Sequence, residues 1–344
     1  MLTAIRGSTD EDISSALHYG PMNTMRPDPA TEQFLGMLRA AGRPPLYEQP
    51  IAAARAGSVG LSQQMASQTL AVHRVEDRRL PTAAGDVGIR VYWPRPVAAG
   101  EQLPIVVHFH GGGFVLCNLD THDAIARSYC RHADAIVINV DYRLAPEHKF
   151  PAAVDDSYAA VCWAAEHAAE LGGDAQRIAV TGDSAGGNLA AVICQLAKSK
   201  RGPAIAFQAL IYPVVDLDLA STFASRAEFG GGDYFLTLRD MEWFNSLYFT
   251  DAASQVKDPR ASPLRTEDLT GLPPALVVTA GCDPLRDEAK VYADRLAAAG
   301  VPVEYRCFGG TIHAFLSFAA AIPAADEAVA FIAERLHTAL HSSR

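Results

Sequence analysis

Gly182-Asp183-Ser184-Ala185-Gly186 is the segment of the chain best suited to chemistry. It follows a strand-like run at residues 177–181 and opens a helical stretch near residue 187. A serine held on a sharp strand-to-helix turn offers its hydroxyl as a nucleophile, and glycine two residues to either side lets strand and helix pass closely. The helix N-terminus beneath favours negative charge developing nearby. His110-Gly111-Gly112-Gly113-Phe114 follows a second strand-like run, residues 105–109. Successive glycines expose backbone N–H groups, so two of these together with the N–H of Ala185 can receive an oxyanion. A metal site at His108, His110 and His122 is the competing reading, but no carboxylate-and-histidine set of the metallohydrolase type follows them.

A serine nucleophile needs a base and a group that orients it. In the order serine, acid, histidine, the histidines left are His313, His337 and His341. His337 and His341 fall in the C-terminal helical segment, where they are expected to face solvent or the helix dipole. His313 instead sits in Phe308-Gly-Gly-Thr-Ile-His-Ala-Phe315, read as a Gly-rich loop after the last strand, and is the expected base. Asp283 lies at the carboxyl end of the preceding strand, where crevices of parallel sheets form, and is the expected acid. Its rivals Asp287 and Glu288 come one turn into the next helix, where favouring the helix N-terminus accounts for them.

These residues need a scaffold, and the chain supplies an alternation. Residues 72–80 and 87–93 predict a hairpin across the turn-prone Pro81–Asp86. Further apolar, β-branched runs stand at 104–109, 135–140, 177–181, 205–211, 275–279 and 301–307. Helical segments at 121–132, 152–169, 185–198, 284–299 and 324–340 follow most of them, which predicts a mostly parallel sheet covered on both faces. About 60 aromatic-rich residues between the strands near 211 and 275 are too many for an ordinary connection and read as a cap over a site. Within it a capping box Thr237–Asp240 precedes Trp243, Phe244 and Leu247, which are expected to pack the cap. The first 70 residues, with Pro21, Pro27, Pro29, Pro44, Pro45 and Pro50, read as short helices laid on another body, one of them at 31–41.

Composition narrows the function. The 344 residues carry 39 acidic against 29 basic side chains, a net charge of −10, with no basic run interleaved with aromatics, so nucleic acid and anionic membrane are unsuited partners. The uncharged stretches 102–119 and 308–325 contain His, Gly or Pro and read as buried strands entering tight loops, not membrane spans. The six cysteines lie far apart without a CxxC pair, and residues 1–7 lack a basic segment leading into an apolar one; both predict a cytoplasmic protein with reduced thiols.

With HGGGF, DYRLAPEHKFPAA (141–153), GDSAGG, DPLRDE (283–288) and GTIHAF (310–315) in order, the chain resembles the hormone-sensitive-lipase-like carboxylesterases, the bacterial family IV esterases, in their GDSAG subgroup. The resemblance spans roughly residues 70–340. It implies an α/β-hydrolase fold with an eight-stranded, mostly parallel sheet and a helical cap. The cap is then residues 1–69 plus an insertion at about 214–272, and the catalytic domain is 70–344. It further implies Ser184, Asp283 and His313 as a triad, Gly112, Gly113 and Ala185 as oxyanion donors, and a small acyl ester of short to medium chain as substrate, with no cofactor and no metal. The last edge strand offers a surface for a homodimer. Amide, carbamate or thioester cleavage on the same triad is the alternative activity, since the acyl-enzyme chemistry is shared; a non-catalytic binding protein on this scaffold is a third reading, against which the retained His313 speaks. Asp141, Arg143 and Glu147 are expected to pair internally and fix the loops around the site.

Overall fold

In a computed structural model of the protein, residues 25–42 and 44–342 are described; Pro21 and the stretch 1–7 lie outside them. The strands are β1 (Arg74–Leu80), β2 (Val87–Trp93), β3 (Leu103–Phe109), β4 (Ile136–Asp141), β5 (Gly173–Asp183), β6 (Phe207–Ile211), β7 (Ala275–Cys282) and β8 (Val303–Ile312). They form one sheet in the order β1-β2-β4-β3-β5-β6-β7-β8. The hairpin is where the turn residues put it: β1 and β2 pair antiparallel, Leu80 opposite Val87, and Thr82 and Gly85 exchange backbone hydrogen bonds across the bend. β2 is also antiparallel to β4, and every later pairing is parallel. β1 carries Arg74, Glu76, Asp77, Arg78 and Arg79, charges that keep an edge strand from pairing with another chain. β3, at the centre, is buried at all seven positions, as a strand covered on both faces must be.

The longer helices are α1 (Pro29–Ala40), α2 (Ile51–Met65), α3 (Asp123–Ala133), α4 (Ala152–Glu166), α5 (Ala185–Lys200), α6 (Ala224–Phe229), α7 (Leu238–Tyr248), α8 (Arg286–Ala298) and α9 (Ala324–His341). Side chains alternate along the strands into two cores. Ile105, Val107 and Phe109 of β3 join α4, α5 and α8 on one face, while Val106 joins α3 and α9 on the other. None of the helices among the described residues is long and apolar enough to cross a membrane. The uncharged stretches are accounted for instead by β3 with its following loop and by the end of β8 with the approach to α9.

One boundary differs from the sequence reading in a way that matters. β8 runs through Ile312, so the segment before His313 is strand and not loop. Past a bulge, Cys282 pairs with Ile312. Glycine makes this possible: a Cβ on Gly281 would stand 1.9 Å from the Gly309 carbonyl oxygen, so the two strands press backbone to backbone where side chains would hold them apart. The β6–β7 connection contains α6, α7, one helical turn at Ala252–Gln255 and a 3-10 turn at Pro263–Arg265, and α7 opens with the expected capping box between Thr237 and Asp240.

Candidate active site

β5 ends at Asp183 and α5 begins at Ala185, leaving Ser184 alone on the turn at φ 55°, ψ −117°. That conformation is sterically costly for a residue with a Cβ and persists only where the surroundings impose it. The surroundings are close backbone. A Cβ on Gly186 would lie 1.9 Å from the Phe109 carbonyl oxygen, and one on Gly182 would lie 2.4 Å from the carbonyl of Gly186. The two glycines therefore admit not only strand and helix but also the end of β3. The Ser184 N–H is anchored to Ile211 O at 2.8 Å.

The structure brings Ser184, His313 and Asp283 into one hydrogen-bonded line. His313 Nε2 is 2.8 Å from Ser184 Oγ, and His313 Nδ1 is 2.8 Å from Asp283 Oδ2. Asp283 is fully buried, and its other oxygen accepts the Leu285 N–H at 2.8 Å. A carboxylate at Nδ1 places the ring proton there, which leaves Nε2 to accept from the serine hydroxyl. The Tyr212 ring stands edge-on to the imidazole, centroids 5.1 Å apart, and limits its rotation.

The glycine-rich loop after β3 faces this line. Gly112 and Gly113 take φ values of 112° and 61°, and Phe114 follows at 63°. Among the described residues the N–H groups of Gly112, Gly113 and Ala185 have no protein acceptor. Gly111 is different: its N–H is given to Asp183 Oδ1 at 2.8 Å. The histidines of the metal reading are each engaged by the protein, His108 Nδ1 with Asn139 Oδ1 at 3.0 Å, His110 Nδ1 with Gly111 O at 2.7 Å and His122 Nε2 with Asp183 Oδ1 at 3.0 Å. Burial, with His122 adding to it, holds His108 down at about 4 and His110 at about 3, so both rings are neutral at ordinary pH. No group of three or more metal-ligating side chains stands together among the described residues.

Above Ser184 lies a cavity of about 570 Å³. Leu35 and Leu61 from the N-terminal helices, Leu217, Leu236 and Phe244 from the β6–β7 connection, and Phe318 after β8 supply apolar wall. Phe244 does more than pack among the aromatics of its own segment, because its ring would collide at 2.4 Å with a Cβ placed on Gly113. It rests on the loop that carries the free N–H groups.

Three sequence readings are corrected. Asp141, Arg143 and Glu147 do not pair with one another: Arg143 binds Asp156 at 2.7 Å, Glu147 binds Arg55 of α2 at 2.7 Å, and Asp141 sits opposite Gly88 with burial raising its carboxyl. Glu288 is not merely a helix-terminus charge. It is fully buried, accepts the N–H groups of Val215 and Asp216, and binds Arg226 at 2.6 Å, tying the β6–β7 connection to α8. Burial pushes its carboxyl up to about 7 against the pull of Arg226. His337 and His341 stack on each other and both contact the Ala133 carbonyl oxygen at the end of α3. Sequence reasoning also passed over Arg55, whose guanidinium donates to the carbonyls of Val115 and Ala145, and Asp183, which stood inside the serine motif but was given no task. The spacing of their partners, 60 and 72 residues away, leaves no local pattern to read.

The chain matches the model of a family described as having an alpha/beta hydrolase fold over residues 106–317. It is 45% identical over 296 residues to the carboxylic ester hydrolase LipN of Mycobacterium tuberculosis, across 84% of this chain and 77% of that one. An ethyl acetate hydrolase of Pseudomonas putida is 39% identical over 267 residues, 76% of this chain and 82% of the other. A hyperthermophilic esterase from the archaeon Pyrobaculum calidifontis aligns in structure with a TM-score of 0.86 at 42% identity, covering 91% of this chain and 99% of that one.

Proposed function

The chain belongs to the hormone-sensitive-lipase-like family of α/β-hydrolase-fold carboxylic ester hydrolases, and from that premise we propose that it cleaves short- to medium-chain acyl esters through an acyl-serine intermediate. The observation that carries this reading is the Ser184–His313–Asp283 line on the floor of an apolar cavity. Ser184 Oγ attacks the ester carbonyl carbon while His313 Nε2 takes its proton, and Asp283 holds the resulting imidazolium. The carbonyl oxygen, now negative, is received by the N–H groups of Gly112, Gly113 and Ala185. Collapse expels the alcohol, which leaves with the proton from His313. A water molecule, deprotonated by the same imidazole, then attacks the acyl-serine; as the bond to Ser184 Oγ breaks, the imidazolium returns its proton to that oxygen and the acid departs. Each proton and electron pair is handled by these side chains, so no cofactor or metal is called for.

Residues of 29–65 and of 214–272 together act as the cap in this proposal, and the cap sets chain length. An added methylene gains about 0.8 kcal/mol while wall remains to bury it and loses once the acyl chain outgrows the cavity. The ethyl acetate hydrolase among the relatives is in keeping with a short acyl group. Two measurements test the proposal. Ser184→Ala is expected to lower kcat by roughly 10⁴-fold with the fold intact, and comparable turnover in a folded variant overturns the mechanism. Across esters from C2 to C16 the optimum is expected at roughly C4 to C8; a peak at C12 or beyond that jumps when droplets form would mark a lipase instead.

A further inference from the structure

His122 lies just before α3, and its ring is held at both nitrogens. Thr121 Oγ1 gives its one hydrogen to Asn118 O at 2.8 Å and already accepts the Asn118 N–H at 3.0 Å. At 2.9 Å from Thr121 Oγ1, the Nδ1 of His122 must therefore be the donor. Its Nε2 stands 3.0 Å from Asp183 Oδ1 and 3.4 Å from the Gly111 N, so ring, carboxylate and loop amide meet at one point. Burial would raise the Asp183 carboxyl, but the neighbouring His122 outweighs it and holds the group down at about 2.

The oxygen that receives His122 is the one that receives the Gly111 N–H. Gly111 has no room for a side chain because of this carboxylate: a Cβ there would lie 2.5 Å from Asp183 Oδ2. Glycine at 111 thus serves the carboxylate, whereas Gly112 and Gly113 follow with positive φ and N–H groups that take no protein acceptor among the described residues. Asp183 is also the residue before Ser184, so one side chain joins the nucleophile's turn to the loop that receives the oxyanion.

We propose that Asp183 and His122 form a positioning pair for the oxyanion donors: the carboxylate, held in place by the His122 ring, captures the Gly111 N–H and so aims the N–H groups of Gly112 and Gly113 at the reacting carbonyl oxygen. This rests on the reading of those two glycines as oxyanion donors. The pair touches no substrate atom and acts through the loop.

The test measures kcat, KM and the inhibition constant of an acyl trifluoromethyl ketone, which forms a tetrahedral adduct whose oxyanion occupies the same donors. Asp183→Ala and His122→Leu are expected to lower kcat roughly 10- to 100-fold with KM within about threefold, and to weaken the ketone in proportion to kcat/KM. His122→Gln, whose amide can reach Asp183 where Nε2 did, is expected to recover kcat to within about fivefold of the parent. Thr121→Val, which removes the partner of Nδ1 together with two hydrogen bonds to Asn118 but leaves the His122–Asp183 contact, should fall between the glutamine and leucine variants and covers the case in which the larger changes do not fold. A folded Asp183→Ala or His122→Leu variant with unchanged kcat and ketone inhibition overturns the proposal, as does a series in which only thermal stability moves. Failure of the underlying acyl-serine reading looks different: the parent enzyme itself would then form no Ser184 adduct with the ketone.

Discussion

The two pieces that roof the cavity are fastened to the sheet by opposite physics. The N-terminal piece is held at its rim. Arg55 of α2 meets Glu147 with side chains 30% and 54% exposed, α1 begins where the Asp28 N–H meets Gly310 O at 2.9 Å, and Phe34 lies on Phe318 with centroids 4.6 Å apart. The β6–β7 piece is held from inside. Arg226 is 4% exposed and donates to Asp216 O, Asp218 O and Ser221 O as well as to the buried Glu288, while Asn188 on α5 donates to Val214 O and Ala261 O. Removing one partner of a buried, fully bonded pair costs about 3–5 kcal/mol, whereas an exposed pair is worth about 0–1 kcal/mol. One wall of the site is therefore fastened by a buried ion pair and its hydrogen bonds, and the other by apolar packing with its ion pair left at the surface.

The largest expected effect breaks the inner fastening. Arg226→Met should lower the unfolding free energy by about 3–5 kcal/mol, because the buried Glu288 carboxyl loses its partner and several carbonyls lose their donor. Chemical denaturation reads this directly. A double change, Arg226→Met with Glu288→Leu, should regain much of the loss, since no unpartnered buried carboxyl remains; a single variant as stable as the parent would mean the insertion is no better fastened than the N-terminal piece.

A smaller effect is in pH. Glu288 keeps its proton to about pH 7 in the fold, against an ordinary carboxyl value of 4.5. Between those values the folded state binds more protons than the unfolded one, so stability falls as pH rises from about 4.5 to 7 and does not return above it. Relative to Glu288→Gln, which cannot titrate, the parent should lose stability across that window, by a few kcal/mol at most since one pKa unit is worth about 1.4 kcal/mol. Parallel curves for the two proteins would show that Glu288 is ionised throughout.

The smallest effect on stability, and the sharpest contrast, belongs to Arg55. Arg55→Met should change the unfolding free energy by about 1 kcal/mol or less, as half-exposed pairs do. It should nevertheless lower kcat/KM by about tenfold, because the same guanidinium holds the Val115 carbonyl two residues beyond Gly113. Stability and activity measured on one preparation settle whether the two separate.

Ser184, Asp283 and His313 were legible because each stands within three residues of glycine or proline at the carboxyl end of a β-branched run, where local sequence and chain order suffice to name a candidate site. The strands were legible for the same reason, though β5, β7 and β8 run past their apolar runs into residues that pair by backbone alone. What stayed hidden was long-range and polar. Glu288 carries a sufficient local explanation as an acidic residue in the first turn of α8, and its partner Arg226 is 62 residues upstream in the irregular connection. His122 looked like a third histidine of a set, when its meaning lies in a carboxylate from another strand end. Hydrophobic pattern repeats along the chain and can be read from it; a single polar pair does not.

The seat of the N-terminal piece has a consequence for the order in which the molecule is made. Phe34 docks on Phe318, the Asp28 N–H on Gly310 and the Met65 carbonyl on Ala320, so the first-synthesised helices meet partners among the last-synthesised residues. At roughly 5–20 residues per second, a ribosome needs on the order of tens of seconds to travel that distance. Through that interval α2 can find its mid-chain partners, but Phe34 of α1 has no Phe318 to cover it, even if the central strands have already collapsed. The roof arrives after the room is built, and a nascent chain stalled anywhere before β8 has neither its histidine nor the surface on which its own beginning must come to rest.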